Sequence, residues 1–554
     1  MVLRRYKCKG CRIETHWPLF ALAAMPRASM TAAHAPPPPP PPSPSGPPAD
    51  SASRRVARGI GTTVLARLGA VVEIVAQPLY VLMFGLAGYG LYAVLWAAIN
   101  LIENIFDLGM TSALQRTVPQ SASDAEAAAA LRTALLLGVG PCLLVAALIA
   151  WQAPAIAPLV NVAAADEATV APAIRLFIWA LPLWAFVEIA TSALRARMLF
   201  GAEIRLRIVW EQLIRLALAT ALFAGGWGLM GLFIAQIASL TITAWLCLRL
   251  LAQHYRLRLM FTGPRWPPVA RNTALAGLAI LPSNMIARLF GDAPALVLNQ
   301  LLPGAAGAAA GGLFTIARKL ASVVQLVRIA FVYVLAPLTA SSERHDRGEV
   351  REIYAYAVRL ILVISVPLAA VLAAGSAPLL SLFGRGADVA QAAVIILLLA
   401  RAGEAVLGIS LPVLQVVATF RHQLAASIIG LGVAALAGWW LVGLFPALTA
   451  VTLAVALGVI VAAVIPMVQL WQVERLHPFP PAFPRVAAVA LMTAVAGAAL
   501  ALAVSGLPDA LALPLTLVIA AAAIWVSARF ALPLADRQSL GKVARKLALI
   551  PSHS

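Results

Sequence analysis

Long apolar stretches decide what this chain can fold into. Fourteen follow one another from Ile60 onward, at 60–84, 88–110, 131–151, 172–193, 208–224, 228–251, 273–302, 308–337, 353–374, 389–412, 423–445, 448–471, 485–505 and 511–531. A helix needs about 20 mostly apolar residues to cross the hydrocarbon core of a bilayer. Lipid satisfies no backbone hydrogen bond, and these runs lack the period-2 alternation of barrel strands, so each crossing is expected to be a helix. The expected fold is all-α, a polytopic membrane protein of about 14 transmembrane helices. Composition agrees. The 554 residues are 62% hydrophobic and 11% charged, against roughly 45–50% and 25% in soluble domains.

The formal charge of +19 suggests nucleic acid until its distribution is followed. Between spans the basic residues gather on one side: Arg54, Arg55 and Arg58; Arg195, Arg197, Arg205 and Arg207; Arg256, Arg258, Arg265 and Arg271; Arg537, Lys542, Arg545 and Lys546. Arg385 sits alone in a loop on the other side. That bias orients a multi-pass protein with both termini in the cytoplasm and makes nucleic acid an unexpected partner. Outer loops are short, the longest being 152–171, so no external domain is expected.

Residues 1–57 differ in composition and are expected to be a disordered, Pro-rich cytoplasmic tail. The run Pro36–Pro42 gives an extended chain with no core. The short apolar stretch Trp17–Met25 is a poor match to a signal peptide, and translation starting nearer Met25 or Met30 is an alternative. Cys8 and Cys11 form a lone CxxC with no second pair, too little for a metal site. Cys142 and Cys247 fall in spans and read as core residues. No cofactor is expected.

The second run carries Asn100, Glu103, Asn104 and Asp107 at i, i+3, i+4 and i+7, one face of a helix. A charge at the bilayer centre costs at least about 2.5–3.5 kcal/mol, so this face is expected to look onto a hydrated cavity. The first run holds Arg67 and Glu73. The eighth holds Arg318, Lys319, Ser322, Gln325 and Arg328, a basic-to-polar stripe. Ion pairs between helices, or side chains snorkelling to the interface, are the structural alternative for the same residues. Glu404, three residues after Arg401, is an evident partner for it.

Two segments echo one another. Leu65–Gly69 reads LARLG and Ile286–Gly291 reads IARLFG; Gly90-Leu91-Tyr92 is matched by Gly312-Leu313-Phe314, 222 residues on. An even number of spans separates them, so both copies share one orientation. This implies parallel six-helix lobes, 58–260 and 261–476, related by a pseudo-two-fold axis with a site between them. Two further spans, 477–531, and a basic cytoplasmic tail, 532–554, would follow.

From about Arg58 to its end the chain resembles the polysaccharide, or oligosaccharidyl-lipid, flippase branch of the multidrug/oligosaccharidyl-lipid/polysaccharide exporter superfamily. The resemblance rests on GLAGYGLYAV (Gly85–Val94), DLGMTSALQR (Asp107–Arg116) and GGLFTIARKL (Gly311–Leu320), and on the 6 + 6 + 2 layout. It implies a bacterial inner-membrane protein that turns undecaprenyl-pyrophosphate-linked oligosaccharides, such as O-antigen or exopolysaccharide units, toward the periplasm by alternating access. Membrane lipids and a polysaccharide polymerase complex are the associated partners. Guanidinium forks match phosphate oxygens, so Arg67, Arg288, Arg318, Lys319 and Arg328 are the expected headgroup ligands. Glu73, Asn100, Glu103, Asn104 and Asp107 are the expected polar or coupling residues, with a proton or sodium ion as the coupling ion.

Enzymatic function is not expected. Gly541-Lys542 lacks the upstream glycine of a nucleotide-binding loop, and the outer loops are too small for the site of a glycan polymerase or glycosyltransferase. The main alternative is a multidrug/toxin cation antiporter, which needs carboxylates and an aromatic pocket. A lipid II flippase remains open.

Overall fold

Gly85 turns the first hydrophobic element back on itself. It lies inside α1 (Ala70–Phe106) with φ 73° and ψ 162°, a conformation open to glycine and strained for side-chain-bearing residues. Tyr89 Oη donates to Gln77 Oε1 at 2.6 Å across twelve positions. A continuous helix would separate those residues by about 18 Å along its axis, so the two limbs of α1 are a hairpin. Its second limb ends at Phe106, where Leu108 and Gly109 take positive φ before α2 (Met110–Thr117).

The structure is a computed structural model that describes residues 70–197, 199, 204–262, 266–342, 347–417 and 420–550. Among them the protein is helical, with no strand. The Pro-rich segment 1–57 and Arg67 lie outside the described residues. Glu73 is in helical backbone, but its side chain is outside the description.

In chain order there follow α3 (Asp124–Ala134) and α4 (Gly140–Trp151), joined by a π-helical turn at Leu135–Val139. Next come α5 (Glu167–Phe177), α6 (Ala180–Ala196), α7 (Glu211–Ala224) and α8 (Gly228–His254). Then come α9 (Pro268–Leu301), α10 (Gly304–Ser342), α11 (Arg347–Ala374), α12 (Gln391–Leu407), α13 (Phe420–Leu441) and α14 (Ala447–Glu474). The last two long helices are α15 (Phe483–Val504) and α16 (Asp509–Ala531), and α17 (Leu534–Ser539) and α18 (Lys542–Lys546) close the chain. Twelve helices among the described residues are long and apolar enough to cross a membrane, against the fourteen expected. Two places account for the difference: both limbs of α1 are one element, and the fifth expected crossing is divided into a π-helical stretch, Ile204–Trp210, and the short α7.

The two halves of the chain meet along α1, α9 and α10, and glycine sets how closely. A methyl group on Gly90 would lie 2.0 Å from the Ala308 carbonyl oxygen. One on Gly312 would lie 2.8 Å from Gly90 Cα and 3.5 Å from the Leu86 oxygen. Leu86 and Ala308, like Gly90 and Gly312, are 222 residues apart. The contact is therefore reciprocal, residue i touching j′ while i′ touches j, as happens at a two-fold axis. Small residues let membrane helices approach this closely.

At one end of this seam Asn161, in the loop before α5, locks to Asn299 of α9. The Asn161 amide nitrogen donates to Asn299 Oδ1 at 3.1 Å, Asn161 Nδ2 to the Asn299 carbonyl at 2.8 Å, and Asn299 Nδ2 to the Asn161 carbonyl at 2.7 Å. Gln300 Nε2 donates to the Leu159 carbonyl at 2.6 Å. Replacing Asn299 by alanine strips partners from main-chain groups of Asn161, at about 1–3 kcal/mol for each buried group. The expected result is a lower unfolding midpoint in detergent, read by thermal denaturation.

Candidate functional site

Two cavities of opposite charge lie beside one another, the larger within the C-terminal half and the smaller between the halves. The larger, about 490 Å³, is formed by α9, α10, α12, α13 and α14 and lined by Arg288, Arg318, Lys319, Arg328 and Arg401 against Asp292 and Glu404. Ser322 and Gln325 add neutral donors. The smaller, about 260 Å³, is lined by Glu103, Asp107 and Glu188 with Asn104, Thr111, Ser112 and Asn284. Arg288 and its neighbour Ala287 belong to both walls.

Helical spacing explains much of the larger wall. Arg318, Ser322 and Gln325 recur at i, i+4 and i+7 on α10, with Arg328 one turn further, so one face carries all four. Within this wall the cations are partly neutralised. Arg318 Nη1 is 3.2 Å from Asp292 Oδ1. Glu404 takes two partners, Arg328 Nη2 at 3.0 Å from Oε1 and Arg401 Nη1 at 2.5 Å from Oε2. Five basic groups against two carboxylates leave the wall net positive.

The acidic wall depends on a helix irregularity. Gly138 sits in the π-helical turn, where a methyl group would lie 2.9 Å from Asp107 Oδ1 and 2.5 Å from Ile189 Cδ1. The turn brings bare backbone against Asp107, and π-bulges recur at functional sites. Glu103, Asp107 and Glu188 are all buried. The Thr111 amide donates to Asp107 Oδ2 at 3.2 Å. Glu188 is held by Arg207, whose Nη2 is 2.5 Å from Oε1 and Nη1 2.9 Å from Oε2, and Arg207 lies 4.3 Å over the Trp184 ring. Arg288 Nη2 stands 3.9 Å from Glu188 Oε1, a looser pair.

Of the expected residues, the structure brings Arg288, Arg318, Lys319 and Arg328 to one cavity and Glu103, Asn104 and Asp107 to its neighbour. Asn100 shares their helix face but lines neither cavity. It is buried, and its Oδ1 has no hydrogen-bond partner among the described residues. The sequence reading missed Asp292, Glu188, Arg207 and Asn284. Asp292 follows Arg288 by four residues on α9, a spacing that could have flagged it. Glu188 is a lone carboxylate in an apolar run, and nothing in its spacing shows that Arg207, nineteen residues on, comes back to meet it.

A second buried network also escaped the sequence. Arg215 of α7 is buried and donates to Gln212 and Gln236, and to the Tyr92 hydroxyl at 3.3 Å. Its guanidinium lies 5.8 Å from the Tyr80 ring centre. These polar groups tie α1, α7 and α8 together inside the N-terminal half.

A sequence profile described as polysaccharide biosynthesis protein matches residues 83–385, more than half of the chain and both cavity walls up to α11. The chain belongs to the polysaccharide biosynthesis protein family. No curated protein matches it by sequence. Solved structures share its fold. The lipid II flippase MurJ in its inward closed conformation aligns with a TM-score of 0.64 at 12% identity, over 84% of this chain and 97% of that one. An inward-facing multidrug resistance MATE family transporter of the MOP superfamily aligns at 0.59 and 17% identity, over 77% and 98%. The Vibrio cholerae MATE transporter VcmN in its bent form aligns at 0.55 and 14%, over 76% and 98%. At these identities the likeness is one of fold, a multi-pass helical membrane fold that flippases and drug transporters share.

Proposed function

We propose that this protein is a flippase that turns an undecaprenyl-pyrophosphate-linked oligosaccharide from the cytoplasmic to the periplasmic leaflet of a bacterial inner membrane. The observation that carries the reading is the net positive cavity between helices, large enough for a diphosphate and rich in guanidinium. Family membership and the fold held in common with a lipid II flippase support it. In this reading Arg288, Arg318, Lys319 and Arg328 receive the pyrophosphate, the isoprenoid chain stays in lipid, and the sugar follows the headgroup through the water-filled interior. Rocking of the two halves about the Gly90–Gly312 crossing would present the cavity to either side. The acidic cavity, with Glu103, Asn104 and Asp107, is the place for a coupling proton or sodium ion.

The experiment must separate lost binding from lost folding, and the ion pairs show how. Removing Arg318 strands the buried Asp292. Removing Arg288 leaves Glu188 its Arg207, and removing Arg328 leaves Glu404 its Arg401. The double variant Arg288→Gln/Arg328→Gln is therefore expected to reach the membrane folded yet fail to support surface glycan in a strain lacking the wild-type protein. Losing two charge-assisted contacts of about 1.5–3 kcal/mol each weakens headgroup binding by about a hundredfold or more. Normal surface glycan in that strain overturns the reading.

A cation antiporter is the second reading, favoured by the acidic cavity alone. It calls for efflux of organic cations that survives loss of Arg288 and Arg328. Dye accumulation in the same strains tests it.

A further inference from the structure

Arg288 is the wall that the two cavities share, and it stands between charges of opposite demand. On one side are the three buried carboxylates Glu103, Asp107 and Glu188. On the other, Arg318, Lys319, Arg328 and Arg401 surround the space assigned above to a pyrophosphate. Its hold on Glu188 is weak by geometry, 3.9 Å where Arg207 is at 2.5 Å. Its side chain is 38% exposed, whereas Asp107 is 4% exposed with an Oδ1 that accepts no hydrogen bond among the described residues. Glu188 keeps Arg207 when Arg288 leaves, so movement of Arg288 strands no buried carboxylate of its own pair.

We propose that Arg288 links the two cavities, so that an anionic diphosphate in the larger one and an alkali cation in the smaller one bind cooperatively. The inference rests on the headgroup reading of the larger cavity. One guanidinium cannot neutralise both sites. A diphosphate draws Arg288 away from Glu188, and the acidic cavity, left with one positive charge fewer, accepts a cation more readily. A cation in the acidic cavity in turn releases Arg288 to the diphosphate. Among the described residues no group of three ligating side chains could hold a metal ion directly, so the ion proposed for the small cavity is a monovalent one that keeps its water. Polar lining from Asn104, Ser112 and Asn284 suits the same ion. Linkage makes the effect reciprocal: each ligand raises the affinity of the other by the same factor.

The test uses the purified full-length protein with geranyl pyrophosphate as the diphosphate, titrated in sodium chloride and in N-methyl-D-glucamine chloride at equal ionic strength and pH. Sodium is expected to tighten geranyl pyrophosphate binding about tenfold, within the range of measured couplings. Geranyl pyrophosphate is expected to tighten binding of radioactive sodium by the same factor. In Glu188→Gln, which no longer competes for Arg288, geranyl pyrophosphate should bind tightly without sodium and ignore its addition. Arg288→Gln retains the Glu188–Arg207 pair and should bind weakly, again without regard to sodium. Equal affinity of the wild-type protein in both salts overturns the linkage alone, as does full sodium dependence in Arg288→Gln. Failure of geranyl pyrophosphate to bind in either salt overturns the headgroup reading and the linkage together.

Discussion

Replacing Gly90 by alanine is expected to destabilise the protein severely, and replacing it by valine to remove the folded protein from the membrane. The new methyl group would stand 2.0 Å from the carbonyl oxygen of Ala308 and 2.6 Å from its carbonyl carbon. Both belong to backbone, so no flexible side chain can yield; α1 and α10 must move apart by more than an ångström. Overpacking a well-fitted site costs about 1–3 kcal/mol even where side chains give way, so a loss of at least about 3 kcal/mol is expected here. Gly312→Ala meets Gly90 Cα at 2.8 Å and should behave alike, and the pair should be non-additive because both act on one crossing. Gly432→Ala is the control, since a methyl group there meets nothing within 4 Å. It should be neutral or stabilising by up to about 1 kcal/mol from helix propensity. Thermal unfolding and size-exclusion profiles in detergent check all three; unchanged behaviour of Gly90→Ala contradicts the close crossing.

Removing Asp536 is expected to cost a comparable amount. Arg359 of α11 grips this aspartate of α17 with both forks, Nε to Oδ2 at 2.6 Å and Nη2 to Oδ1 at 2.9 Å, and both side chains are largely buried. Ser539 Oγ donates to the Tyr356 hydroxyl at 3.0 Å, while Arg529 and Arg537 both donate to the Leu549 carbonyl. Breaking a buried pair by deleting one partner costs about 3–5 kcal/mol because a buried charge is left alone. Asp536→Ala should therefore unfold at a markedly lower temperature. The double variant Arg359→Met/Asp536→Leu should recover most of the loss, since apolar replacement of a buried pair is often neutral. Failure of the double variant to recover would show that the pair does more than neutralise itself. The segment after residue 532, expected as a basic tail, is thus packed against α11 and α16 over its described part.

Different parts of the molecule were legible to different degrees, and for physical reasons. The polar face of α1 was readable because helical periodicity places Glu103, Asn104 and Asp107 together whatever they pack against. The stripe on α10 was readable on the same ground. Asn100 shows the limit: periodicity gives the face of a helix and not how far along it a cavity extends. The Gly90–Gly312 repeat was visible as an echo, but sequence could not say that the two glycines touch.

Chain length, hydrophobic period and the cost of charge in lipid determined, from sequence alone, that this is a many-helix membrane protein with hydrated, charged surfaces inside it. Only tertiary structure decided which charges face one another. The pairing of Glu188 with Arg207 and of Glu404 with Arg328 depends on where helices cross, as does the Asp107–Gly138 contact. So does the position of Arg288 between an acidic and a basic cavity. Crossings are set by packing of small residues over many turns, and no local pattern encodes them.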